Sequence, residues 1–120
     1  MSAETNDPLA QQLRALRREY LADSTKRVDE LRRLLARLAA GERATLRDLT
    51  QAFHRLAGSG GSYGFPLVST RSREGERLAS RLATEPGAIA AADLESLRVS
   101  VEAIAVAFSD ASSALDDEGA

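Results

Sequence analysis

His54 is the only histidine in the chain, and it opens an unusual run: Phe53-His54-Arg55-Leu56-Ala57-Gly58-Ser59-Gly60-Gly61-Ser62-Tyr63-Gly64-Phe65. An imidazole is a neutral nucleophile near pH 7 and presents one unprotonated nitrogen. Glycine inside a helix costs about 1 kcal/mol relative to alanine, so a cluster of glycines beside the histidine needs a reason, and close approach of another surface is a physical one. Other chemistries fail on residue type or spacing. A Gly-x-Gly-x-x-Gly phosphate cradle would need glycine where Tyr63 stands, and a P-loop would need a Gly-Lys-Ser/Thr end. No nucleophile elbow accompanies His54 for Ser-His-Asp catalysis. With no cysteine and one histidine, thiol nucleophiles, disulfide frameworks, Cys-ligated zinc and His-rich metal sites are all excluded.

The position of His54 follows from the apolar pattern around it. Leu46, Leu49, Phe53 and Leu56 recur at helical spacing. At about 100° per residue His54 lies roughly 120° from the centre of that stripe, so it faces solvent or the seam with a neighbouring helix. If the helix continues, Gly58 and Gly61 fall within roughly 40° of the histidine, with Arg47 and Thr50 on its other side. The imidazole would then stand above a strip of bare backbone.

The elements that must hold this segment are helices. Alanine and leucine supply 22 and 17 of the 120 residues against 7 for valine and isoleucine together, which points to an all-α fold in a single domain. Asp7-Pro8 is placed as N-cap and first position of a short helix whose stripe is Leu9, Leu13, Leu16 and Tyr20. A break or kink near Asp23 leads to a second stripe, Val28, Leu31, Leu35 and Leu38. The third helix begins between Glu42 and Thr45, where Thr45 and Asp48 have capping-box spacing. The fourth starts at Pro66 and carries a seam of small residues through Val68, Ser72, Gly75, Ala79 and Leu82. The fifth shows Leu97, Val101, Ile104, Phe108, Ala111 and Leu115 at alternating spacings of four and three. Residues 1–6 and 116–120 read as frayed tails.

Charge is segregated. Residues 7–82 carry 15 basic and 9 acidic side chains, whereas the remainder carries 1 basic and 9 acidic. The basic part gives weak support to a DNA-binding helix pair, but no helix gathers base-contacting side chains. The chain has no signal-peptide pattern and no apolar run near the roughly 18 residues of a membrane span, which leads to the expectation of a cytoplasmic protein.

His54-Arg55-Leu56-Ala57-Gly58, with Gly64 ten residues after the histidine, resembles the signature of histidine-containing phosphotransfer (HPt) domains. Gly61-Ser62-Tyr63-Gly64-Phe65 is similar to the phosphotransfer domain of chemotaxis histidine kinases. The resemblance covers about Leu46 to Leu82 at motif level, and the remainder through helical pattern and length. It implies an antiparallel four-helix bundle with an additional short N-terminal helix. It also implies that His54 carries a phosphoryl group in a two-component phosphorelay, that Gly58 leaves room for a receiver domain, and that Gly64 allows the turn into the next helix. The position matching a glutamate that hydrogen-bonds the reactive histidine is Glu76.

The family usually has lysine three residues after the histidine, and this chain has Ala57. Arg55 or Arg47 could supply the positive charge instead, and with Ala57, Gly58 and Gly61 they make up the expected docking or phosphoryl environment. The expected partners are a receiver domain, a histidine kinase, or both, with no nucleic acid or membrane, and the chain is expected to be a monomer. It would be a carrier rather than an enzyme, without a nucleotide site or cofactor of its own, Mg²⁺ belonging to the receiver. The alternative is a helical adaptor, a degenerate HPt domain that binds a receiver or kinase without chemistry.

Overall fold

The computed structural model describes residues 7–119, which form five α-helices. Helix α1 (Pro8–Ala22) is capped by Asp7, whose carboxylate accepts from the Leu9 N–H at 3.0 Å, with Pro8 in the first turn. This end behaves as read from the sequence, because proline lacks an N–H that would be orphaned there anyway. Asp23 alone separates α1 from α2 (Ser24–Ala39). Its N–H reaches Tyr20 O and its carbonyl accepts from Arg27 N–H, so hydrogen bonding runs on through the junction and α1 is a bent continuation of α2.

Helices α2, α3 (Thr45–Ser62), α4 (Pro66–Thr84) and α5 (Ala91–Gly119) form the bundle, consecutive helices running antiparallel through residues 40–44, 63–65 and 85–90. The α4 seam is buried from Val68 through Ser72, Gly75 and Ala79 to Leu82. It meets Leu46, Leu49, Phe53 and Leu56 of α3 and Leu97, Val101, Ile104, Phe108 and Leu115 of α5. Each such large apolar side chain removed from water contributes roughly 1.5–3 kcal/mol, and this burial holds the four helices together. Among the described residues no helix is long and apolar enough to cross a membrane.

Four local expectations are corrected. The α1 leucines do not join the core: Leu9, Leu13 and Leu16 are 62%, 46% and 47% exposed, and only Tyr20 and Leu21 of this helix are buried. The molecule measures 61 × 19 × 18 Å, and α1 lies along the extended end of the 29-residue α5, where among the described residues no second layer covers its stripe. In α2 it is Leu34 rather than Leu35 that is buried; Leu35 packs at the core's margin. The capping box at Thr45 does not form. Thr45 is the first residue of α3 and its buried Oγ1 has no partner. The preceding loop is held instead by Arg43, whose guanidinium donates to Leu82 O and Gly87 O, both at 2.7 Å, and to Glu85 O. Of the C-terminal tail, residues 116–119 are helical, since α5 continues through Gly119, and residue 120 lies outside the described residues. The tail expected at residues 1–6 lies outside the described residues.

Candidate functional site

Helix α3 runs unbroken through Gly58, Gly60 and Gly61 to Ser62, so the glycines sit inside a helix rather than ending it. One of them explains the local packing. A Cβ on Gly60 would fall 2.9 Å from Val68 Cγ1 and 3.1 Å from Ser69 N, so its bare backbone lets the end of α3 lie against the start of α4. Ser69 Oγ then donates to Ala57 O at 2.8 Å, tying the two helices one turn above the histidine. Gly64 has φ +84°, a left-handed conformation that glycine adopts without steric cost, and it reverses the chain into Pro66. The turn is fastened from outside: Tyr20 stacks on Tyr63 at 4.5 Å and shares a hydrogen bond of 2.7 Å with Ser59 Oγ, while Arg17 Nε donates to Tyr63 O.

Within this frame His54 projects from the middle of α3 with its side chain 75% exposed. Its Nδ1 lies 2.8 Å from Oε2 of Glu76 on α4, whose side chain is 28% exposed. An ionised carboxylate only accepts, so Nδ1 carries the hydrogen. Nε2, on the opposite side of the ring, then keeps its lone pair. A carboxylate in this position favours the tautomer with hydrogen on Nδ1.

The pair borders an open groove of ≈ 710 Å³ between α3 and α4. His54, Ala57 and Gly58 form one wall; Arg73, Glu76, Arg77, Ser80, Arg81 and Thr84 form the other. A Cβ on Gly58 would meet nothing within 4 Å, so this glycine clears space in front of the histidine instead of permitting an internal contact. Ala57 lines the groove but is buried. Gly61 is exposed two turns along the helix from His54, near Ser69.

The two arginines considered from the sequence lie elsewhere. Arg55 approaches Glu30 of α2 at 3.9 Å, and Arg47 lines a separate depression with Arg43, Ala44, Leu46 and Ala83. The groove's own cations, Arg73, Arg77 and Arg81, come from α4. Sequence reading missed them, although their spacing of −3, +1 and +5 from Glu76 puts all three to one side of it, within about 80° of one another on the helix. Among the described residues no group of three or more His, Asp or Glu side chains is gathered to hold a metal ion.

The arrangement thus offers a nucleophilic nitrogen at the surface, a carboxylate behind it, a cleared approach and cationic flanks. Comparison with curated proteins and with solved structures yields no match. The family model of the Hpt domain matches residues 15–116, a span that begins within α1, ends in the last turn of α5 and includes the His54–Glu76 pair, and the chain therefore belongs to the Hpt domain family.

Proposed function

We propose that this chain is an active phosphoryl carrier, taking the group on His54 Nε2 from a receiver-domain aspartate or a histidine kinase and passing it to a response regulator. Family membership supports phosphotransfer as the general role. The observation that carries the specific reading is the exposed imidazole held by Glu76 at 2.8 Å beside an open groove. In transfer from a receiver the Nε2 lone pair attacks phosphorus in line with the bond to the aspartate's carboxylate oxygen. That P–O bond breaks and the carboxylate leaves. The phosphorylated ring keeps its Nδ1 hydrogen and becomes cationic, and Glu76 stands against that new charge. Phosphoryl transfer needs mostly positioning and charge stabilisation, and the receiver supplies the acidic pocket and Mg²⁺. The carrier needs no nucleotide site.

The test is labelling from a phosphorylated receiver, read as alkali-stable, acid-labile incorporation. His54→Gln is expected to abolish it while leaving helicity unchanged, because the side chain lies outside the core. Undiminished labelling of that variant would refute the assignment. Ala57, standing where the family's lysine is usual, favours the second reading, an adaptor. Receiver binding by the wild-type chain without any transfer is the result that would establish it.

A further inference from the structure

We propose that Arg73 and Arg77 of α4 bind the phosphoryl group on His54, supplying from the opposite wall the positive charge that α3 lacks at Ala57. The proposal rests on the carrier reading and deepens it. Three arginines line the groove with His54. Arg81 is engaged: its guanidinium lies 2.8 Å from Glu85 Oε1 and 3.6 Å from Asp93 Oδ1. Arg73 and Arg77 are exposed and have no hydrogen-bonding or ion-pair partner among the described residues. They sit four residues apart, one turn of the same helix, on either side of Glu76 in the sequence.

Such a pair is costly to leave side by side, because like charges at this spacing repel. A dianion between them removes the repulsion. A guanidinium offers a planar fork of donors matched to phosphate oxygens, and its long stem spans a groove that a lysine on α3 would reach directly. The charges then balance across the site. Glu76 faces the imidazolium formed on phosphorylation, and the two arginines face the phosphoryl oxygens. Ala57, buried against the groove floor, leaves that space to them.

The test charges the full chain with potassium phosphoramidate and follows the ³¹P resonance of phosphohistidine as pH is varied. Nε2 attacks phosphorus, the P–N bond of the donor breaks, and ammonia leaves. The charged groups facing the product are Glu76, Arg73, Arg77 and Arg81. Loss of a cation that faces the phosphohistidine makes the proton on its cationic ring harder to remove. Arg73→Gln and Arg77→Gln are each expected to raise the titration midpoint by about half a pH unit, a roughly threefold effect, and the double variant by about one unit. Arg33→Gln, an equal change of charge at an exposed residue outside the groove, is expected to leave it unmoved. Replacement by lysine at both sites is expected to restore part of the shift. A His54-dependent signal with the same midpoint in wild type and double variant overturns this proposal alone. Absence of any His54-dependent signal in the wild-type chain overturns the carrier reading, and this inference with it.

Discussion

Gly75 of α4 lies directly against the ring of Phe53 of α3: a Cβ at Gly75 would stand 2.6 Å from Phe53 Cε1 and 2.7 Å from Cζ. These two residues immediately precede Glu76 and His54 in the sequence. The buried contact between them therefore sets the separation of the helices just beneath the exposed hydrogen-bonded pair. Phe53 is fully buried, so its ring has no free direction in which to yield.

Gly75→Ala is accordingly expected to destabilise the fold by about 1–3 kcal/mol, even though alanine is the better helix former by about 1 kcal/mol. Thermal unfolding measures the first effect. Because the helices must part or rotate, His54 labelling by a phosphorylated receiver is expected to slow in the same variant. An unchanged melting temperature would show that the ring can move aside.

Removing the partner of the imidazole separates orientation from fold. Glu76→Ala is expected to reduce the rate of His54 phosphorylation about tenfold, the low end for a hydrogen bond to a charged group, since the site is solvent-exposed. Its side chain is only partly covered, so circular dichroism and melting should stay near wild type. Glu76→Gln, which can still accept from Nδ1 but carries no charge, is expected to fall between the two in rate.

Much of this geometry was legible in the sequence because it depends on periodicity. The 3.6-residue repeat put His54 off the core stripe, and the small-residue seam from Val68 to Leu82 lies buried as read. Whether the glycines end α3 or line it was left open by pattern alone. The answer depends on Gly60 fitting against Val68, a contact between helices. The α1 leucines carry the same amphipathic pattern as core helices yet stay exposed, since whether a second layer covers them depends on how far the bundle extends. Arginine positions posed a similar difficulty. Local spacing places Arg55 and Arg47 near His54, whereas long side chains settle according to carboxylates on other helices, as Arg55 does toward Glu30.

Ser72 offers a test of stability independent of the site. It is fully buried in the α4 seam and its Oγ has no hydrogen-bond partner. An unsatisfied buried hydroxyl costs about 1–3 kcal/mol, against the small loss of contact when the oxygen is removed. Ser72→Ala is therefore expected to stabilise by about 1 kcal/mol, seen as a rise of roughly 4 °C in melting temperature. A lower melting temperature would show that the hydroxyl is paired in solution.

Acid sensitivity should arise partly where α2 meets α5. Arg32 holds Glu102 in a two-pronged contact, Nε to Oε2 at 3.0 Å and Nη2 to Oε1 at 2.8 Å. Hydrogen bonding from Arg32 lowers the Glu102 pKa below its ordinary value. A carboxylate depressed in the folded state contributes stability that is present above its unfolded pKa and is lost as pH falls through the folded one. Both side chains are nearly half exposed, so the contribution is at most about 1 kcal/mol and weakens with salt. Glu102→Gln is expected to lower stability at pH 7 by that amount. The difference from wild type should vanish as the medium is acidified past the depressed pKa, as urea titrations at several pH values would show.

Leu9, Leu13 and Leu16 bury little, while Tyr20 is buried, stacks on Tyr63, and bonds Ser59 beside the glycine turn. The stabilising part of α1 is therefore its final turn. A chain lacking residues 1–15 is expected to lose less than about 1 kcal/mol, a fall of under roughly 4 °C, and to be labelled at His54 as fast as the full chain. Tyr20→Ala in the full chain is expected to cost about 3 kcal/mol, because it leaves a cavity among Tyr63, Phe65 and Phe108 and frees the turn that starts α4. Equal losses from the two changes would mean that the exposed leucines are covered in solution.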